Sequence, residues 1–252
     1  MLMTVDVGNT NIAVGIYREG KLMTSFRMIT KSQRTSDEFG SEFYSILTAK
    51  GMKLSEITDV VVSSVVPNLN HALVSSVKKY FHVDPMVIST KLDTGIITDI
   101  PDLGNDRLVD AAAAFHEYGG PVLVIDFGTA TTYDYIDAEG KFITGITAPG
   151  VQIEADALTN MAAQLPKIEL VKPDSAIATD TITSMQVGIV YGYIGSVEYI
   201  INAVREEMNE PFKVIATGGL GSLICPHTKS IDVYDPNLAY KGMKLIWEKN
   251  HK

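Results

Sequence analysis

The chain opens on an apolar run, "MLMTV", that stops at Asp6; alternating apolar positions resume in "IAVGIY" at 12 to 17. That pattern predicts a strand to Val7, a tight turn at Gly8-Asn9-Thr10 and a second strand through Tyr17. The turn "REGK" leads to a third strand in "LMTSFRM". From Thr35 to Lys50 the period changes to that of a helix, with Phe39, Phe43, Ile46 and Leu47 on one face. Thr35 and Glu38 have the spacing of a capping box. "DVVVSSVVP" at 59 to 67 reads as a buried strand that Pro67 terminates. A helix over Asn68 to Phe81, a short strand in "PMVIST" and a helix over 106 to 118 follow, the last stopping at Gly119-Gly120.

The pattern then restarts. "VLVIDFGTATT" at 122 to 132 repeats the form of the N-terminus: apolar strand, Asp, one residue, Gly, then hydroxyls. A shift of 120 residues lays Asp6 on Asp126, Gly8 on Gly128 and Glu19-Gly20-Lys21 on Glu139-Gly140-Lys141. One shift explains both features, so the chain reads as two related halves, 1–117 and 118–252. The second half continues with helices near 151 to 163 and 183 to 208. A strand "FKVIAT" then runs into Gly218-Gly219, and a last helix covers 237 to 249. Alternating strands and helices imply α/β layers.

Composition narrows the function classes. With 252 residues, 46% of them apolar, the chain can build one large or two smaller cores. The net charge of −9 and the lack of any Lys/Arg run longer than two leave no footprint for nucleic acid. Cys225 is the only cysteine, so no intrachain disulfide or cysteine-rich metal site is expected. The start has no basic region followed by an apolar core, and no apolar run approaches a membrane span. A cytoplasmic protein without membrane association is therefore expected.

Four short stretches carry candidate chemistry. In Asp6-Val7-Gly8-Asn9-Thr10, Gly8 removes the Cβ that would keep a phosphate from the backbone N–H groups. Asn9 and Thr10 add donors, and Asp6 can hold Mg²⁺ or its waters. A plain hairpin turn is the competing reading of this stretch alone. Its repeat at 126 to 132 favours two loops gripping one polyphosphate. Gly218-Gly219-Leu220-Gly221 is either an ordinary loop or a place where a nucleotide lies against bare backbone; its spacing is not that of the dinucleotide fingerprint. Gly104-Asn105-Asp106-Arg107 opens a helix. Asp106 there is either a cap favoured by the helix dipole or a base beside an anion-binding guanidinium.

Together these stretches resemble the actin/Hsp70/sugar-kinase superfamily, with its ribonuclease H-like duplicated fold. More specifically, "DVGNTNIAVG", "RTSDEF", "SSVVP", "GNDR", "DFGTATT", "GITAPG", "AAQLP", "DTITSMQVGIVYGY" and "ATGGLG" are similar, in order from 6 to 221, to type III pantothenate kinase. That family phosphorylates pantothenate with ATP to 4′-phosphopantothenate, the first step of coenzyme A synthesis. The resemblance implies a homodimer, Mg²⁺ with ATP, and a monovalent cation, K⁺ or NH₄⁺. It implies that Asp6, Val7, Gly8, Asn9, Thr10, Asn11, Ile12 and Ala13 hold ATP phosphates and Mg²⁺. Gly128, Thr129, Gly218 and Gly219 meet ATP, and Asp126 binds the monovalent cation. Gly104, Asn105, Asp106 and Arg107 line the pantothenate site, with Asp106 as base and Arg107 anchoring the acceptor or stabilising the charge of the transferring phosphoryl group. Thr181 reaches pantothenate across the dimer interface.

The sequence departs from the family on the acceptor side. Asn105 replaces a small residue, and Ile97 and Thr98 occupy the region of an expected tyrosine. Asp180 replaces an asparagine, and Thr144-Gly145 replaces a glycine pair. Two rivals follow: a kinase of the same superfamily acting on another small alcohol, and a non-catalytic nucleotide-binding regulator. Residues 183 to 208 are the candidate dimer helix, with Ile189, Tyr193, Val197, Ile200 and Ile201 on one apolar stripe that fits either the chain's own core or a partner; the resemblance favours the partner. Gly188, Gly192 and Gly195 leave room for close approach, against the intrinsic cost of glycine in a helix.

Overall fold

A computed structural model describes residues 1–251 of the chain. Strands β1 (Leu2–Val7), β2 (Asn11–Arg18) and β3 (Lys21–Ile29) form an antiparallel meander. Its second turn is tight because Glu19 and Gly20 both adopt positive φ, 51° and 77°. Helix α1 (Ser36–Ala49) starts at the expected capping box: Glu38 N–H donates to Thr35 Oγ1 at 3.2 Å and Thr35 N–H to Glu38 Oε2 at 2.7 Å. Strand β4 (Asp59–Ser64) lies parallel to β1. Pro67 does not end that strand. It is the first residue of α2 (Pro67–Phe81), where its missing N–H costs nothing. Strand β5 (Met86–Val87) is short, and α3 (Asn105–Tyr118) follows.

The second set begins with β6 (Val122–Phe127), β7 (Ala130–Ile136) and β8 (Phe142–Pro149), again an antiparallel meander. Helices α4 (Val151–Met161) and α5 (Thr181–Met208) lead to β9 (Lys213–Thr217), parallel to β6. Helix α6 (Gly221–Ile224), β10 (Val233–Tyr234) and α7 (Leu238–Asn250) complete the chain. The sheet orders are β3-β2-β1-β4-β5 and β8-β7-β6-β9-β10. Position by position the two sheets match, including which pairs are parallel, so the repeat read from two short motifs extends to the whole topology.

The chain divides into two compact units. Unit 1 holds Met1–Ile96, Ile100–Ala113 and everything from Leu238 on; unit 2 holds Ile97–Asp99 and Ala114–Asn237. This differs from a cut at 117/118. Helix α7 belongs to unit 1, because Met243 and Ile246 are fully buried in a cluster with Leu2, Val61, Val109 and Ala112. Gly242 permits the fit: a Cβ there would lie 2.1 Å from the Val109 carbonyl oxygen. A second core in unit 1 packs Phe39, Phe43, Leu69, Leu73 and Val77 against β1 and β4. Burial of each such side chain contributes about 1.5–3 kcal/mol. In unit 2, α5 covers the sheet through Ile189, Tyr193, Val197 and Ile201. Of the two packings that the sequence allowed this stripe, the chain's own core is the one it adopts.

Candidate active site

In unit 1 the first D-x-G turn sits at the carboxyl end of β1. Val7 and Ile12 are fully buried in the core, so only their backbones can meet a ligand. Asn9, Thr10 and Asn11 are exposed. The turn closes through Gly8 N–H to the Asn11 carbonyl at 3.0 Å, and a Cβ on Gly8 would lie 3.2 Å from that oxygen. Thr30 braces the turn from β3's end: its hydroxyl donates to the Gly8 carbonyl at 2.8 Å and its N–H to the Thr10 carbonyl at 2.9 Å.

Asp6 lies in register between Ala13 on β2 and Ser63 on β4. Its carboxyl is raised to about 6, first by burial and then by the charge of Asp106; Ser63 opposes the shift. Asp106 reaches this corner because α3 begins beside the end of β4, where Asn105 Nδ2 donates to the Ser64 carbonyl at 3.4 Å. Asp106 Oδ1 accepts the N–H of Arg107 at 2.8 Å, folding the carboxylate over the helix start. Gly104 makes room for it: a Cβ there would lie 2.5 Å from Asp106 Oδ1. The structure thus brings Asp6, Gly8, Gly104, Asn105 and Asp106 into one end of unit 1. Two like charges facing each other are a place for a cation, and the hard carboxylate oxygens suit Mg²⁺. Among the described residues, no cluster of three or more His, Cys, Asp or Glu forms a self-sufficient metal site. A phosphate-borne Mg²⁺ that keeps most of its waters needs no such cluster.

In unit 2 three glycine motifs converge. Asp126 ends β6 in register between Thr132 and Thr217. A Cβ on Gly128 would lie 3.2 Å from Asp126 Oδ2, and one on Gly218 would lie 2.4 Å from Asp126 Oδ1. Gly218 has φ +88°, its carbonyl accepts the Tyr234 hydroxyl at 2.9 Å, and Leu220 N–H donates to the Phe127 carbonyl at 3.3 Å. Gly150 closes the other side: its N–H donates to the Thr129 carbonyl at 3.1 Å, and a Cβ on it would lie 2.3 Å from that oxygen. Thr129 and Gly219 remain exposed at the rim. Asp126, Gly128, Thr129, Gly218 and Gly219 therefore form one built corner of unit 2.

Thr181 lies apart from that corner, as the exposed first residue of α5. It lines an open groove of about 830 Å³ with Glu154, Leu158, Ser184 and Gly188. Burial holds the Glu154 carboxyl above its ordinary range. Asp180 is the N-cap of α5, accepting Thr183 N–H at 2.9 Å and Thr183 Oγ1 at 2.7 Å, which lowers its pKa. Asp180 thus has a structural reason that either Asp or Asn satisfies. The Ile97–Thr98 stretch also has one: Ile97 N–H donates to the Gly140 carbonyl at 2.9 Å, and Phe142 N–H to the Ile97 carbonyl at 2.8 Å. Sequence reasoning gave no role to Thr30 or Ser63. The signal for Ser63 was a polar pair ending an otherwise apolar strand, "DVVVSS".

The sequence model of the type III pantothenate kinase family matches residues 2–203. The chain belongs to the type III pantothenate kinase family. A protein of Agathobacter rectalis, named type III pantothenate kinase, is 49% identical over 256 residues, covering all of this chain and 98% of that relative. As a family member, the chain is a phosphotransferase that phosphorylates pantothenate with ATP in coenzyme A biosynthesis. Solved structures agree on the fold. A Campylobacter jejuni protein described as belonging to the Baf family of transcriptional activators superposes with TM-score 0.62 at 19% identity, over 98% of both chains. Component A of the Acidaminococcus fermentans (R)-2-hydroxyglutaryl-CoA dehydratase gives 0.55 at 14% identity over 100% and 99%. The inorganic polyphosphate/ATP-glucomannokinase of Arthrobacter gives 0.51 at 16% over 98% of both. At these identities the likeness establishes the actin/sugar-kinase fold of the type III kinases and nothing about their substrates.

Proposed function

We propose that Asp106 is the general base that accepts the proton of the pantothenate primary hydroxyl as it attacks the γ-phosphate of ATP, giving 4′-phosphopantothenate. The observation that carries this is the placement of Asp106 at the start of α3, folded over Gly104 and facing Asp6. A base at a helix N-terminus beside an anion-binding Arg107 suits an acceptor that carries a carboxylate. The turn from Asp6 to Ala13 cradles ATP phosphates with backbone N–H groups, and Asp6 holds Mg²⁺ through water. Mg²⁺ supplies neutralisation of charge on the phosphates. In unit 2, Gly128 and Thr129 touch ATP, Gly218 and Gly219 offer bare backbone to the nucleotide, and Asp126 takes a monovalent cation, K⁺ or NH₄⁺.

The same reading includes a homodimer, supported by the outer face of α5. Helix α5 is long and apolar, and only a third of its most apolar window is buried within the chain, so much of that window is left uncovered. Gly188, Gly192 and Gly195 share its open face, and a Cβ on any of them would meet nothing within 4 Å. Three helix glycines cost about 1 kcal/mol each, and the chain's own packing gives no reason for them. Ile153, Leu158, Met161, Ile182 and Tyr199 are exposed nearby on α4 and α5. We read this face as covered by a second copy, with Thr181 reaching the partner's acceptor site. The enzyme is then a cytoplasmic dimer. The test of the central claim is pantothenate-dependent ADP release by Asp106→Asn, which keeps the shape and loses the basic oxygen. A fall of about 10²–10⁴-fold is expected; turnover within about threefold of the parent means that the base is elsewhere.

A further inference from the structure

We propose that Tyr193 is a positioning residue that holds the second D-x-G loop in its phosphate-binding shape, by gripping the loop at both of its ends. This rests on the reading of residues 126 to 132 as a phosphate loop. Tyr193 projects inward from the middle of α5 and is 4% exposed. Its ring packs on Phe127, the residue between Asp126 and Gly128, at 6.4 Å between centroids. Its hydroxyl meets Thr131 Oγ1, at the β7 end of the loop, and also reaches the Pro149 carbonyl at 3.3 Å. Either hydroxyl of the Thr131–Tyr193 pair can donate to the other, with the Pro149 carbonyl as a second acceptor within reach of Tyr193 Oη. The result is a short chain, Thr131 to Tyr193 to Pro149, that fastens the start of β7 and the end of β8 to α5.

Packing alone does not call for these hydroxyls. Thr131 is 1% exposed, so the pair meets no water. A Phe and a Val would fill the same space without a buried polar pair to satisfy. Tyr135 shows the ordinary alternative: its hydroxyl runs out to Glu210 at the unit's edge, at 2.7 Å. Tyr193 instead ends at the loop. A phenol is protonated at neutral pH in any case, and burial pushes the Tyr193 pKa further up. The loop is also clamped by Gly150, which follows Pro149, so movement of Pro149 would shift Thr129 directly. Because α5 also carries Thr181 and the glycine face, Tyr193 ties the nucleotide loop to the helix proposed to contact a second copy.

The test uses the full-length protein and four variants: Tyr193→Phe, Thr131→Val, Thr131→Ser and the Tyr193→Phe/Thr131→Val double. Affinity for a non-hydrolysable ATP analogue with Mg²⁺ is measured by calorimetry, beside KM for ATP and for pantothenate and the melting temperature. Tyr193→Phe and Thr131→Val should each weaken analogue binding and raise KM for ATP by about tenfold, the scale of one buried hydrogen bond. KM for pantothenate should stay within about twofold, the double variant should be no worse than either single, and Thr131→Ser should restore affinity, as expected of one coupled pair. Tyr193→Phe that binds the analogue like the parent, or that lowers the melting temperature without changing nucleotide affinity, overturns the proposal. If Tyr193→Phe fails to fold, Thr131→Val decides by the same criteria. A parent that binds no nucleotide would instead sink the phosphate-loop reading, and this inference with it.

Discussion

Asp6 and Asp106 are near enough for the charge of Asp106 to add to the effect of burial and bring the Asp6 carboxyl to about 6, against 3.8 unperturbed. The folded state therefore binds a proton more tightly than the unfolded chain. Its stability contribution is present below about 3.8 and is lost as pH rises through about 6. Asp6→Asn should raise the stability of the ligand-free protein at pH 8 by about 1–3 kcal/mol and change it little at pH 3.5. The same variant should lose Mg²⁺-dependent turnover. Thermal unfolding at the two pH values is the check, and an equal gain at both would mean that Asp6 is not the strained group.

Gly192→Leu separates the two readings of α5. Inside one chain the change is favourable, since a Cβ at Gly192 meets open space and leucine is the better helix former. In a dimer packed on the glycine face, it blocks the approach. Sedimentation at micromolar concentration should show the parent at twice 27.4 kDa and the variant at the monomer mass, with helicity unchanged. A variant as dimeric as the parent would place the interface elsewhere.

Gly218→Ala should be severe. The new Cβ would sit 2.4 Å from Asp126 Oδ1 and 2.6 Å from Phe127 backbone atoms, at φ +88°. Positive φ for a residue with a Cβ costs about 1–2 kcal/mol before the clash is counted. We expect a destabilised protein in which any folded fraction has lost nucleotide affinity. Wild-type ATP binding by Gly218→Ala would show that the corner around Asp126 is softer than its geometry.

The carboxylate of Asp126 should make activity depend on a monovalent cation. Assays at fixed Mg²⁺ in K⁺, NH₄⁺ and Na⁺ buffers should show clear preference for the first two. Equal rates in all three would remove the selective site.

Much of this fold was legible because its signals are local. Alternation gave the meanders, and one shift of 120 residues gave the duplication that the two sheet orders repeat strand for strand. What sequence could not reveal depended on which way a face turns. The stripe of Ile189, Tyr193, Val197 and Ile201 is equally suited to a neighbour or to the unit's own sheet, and it faces the sheet. Pro67 after an apolar run is compatible with ending a strand or opening a helix, and only the early end of β4 at Ser64 decides it. Thr30 is invisible as a brace because its partners, Gly8 and Thr10, become neighbours only when β2 and β3 pair. The assignment of α7 to unit 1 could not be seen either, since contacts of that length leave no local trace.

The return of α7 to unit 1 has a consequence for the chain as it is made. Unit 1 lacks Met243 and Ile246 of its core until α7 has emerged, whereas every strand and helix of unit 2 is already present once Asn237 has emerged. Domains of a nascent chain ordinarily fold from the N-terminus onward. Here the order is inverted: the unit that holds β1 to β5 is completed after the unit that follows it in sequence. A chain stopped after Asn237 should carry a protease-resistant unit 2 beside a digestible unit 1 sheet, and emergence of α7 should be the event that completes unit 1.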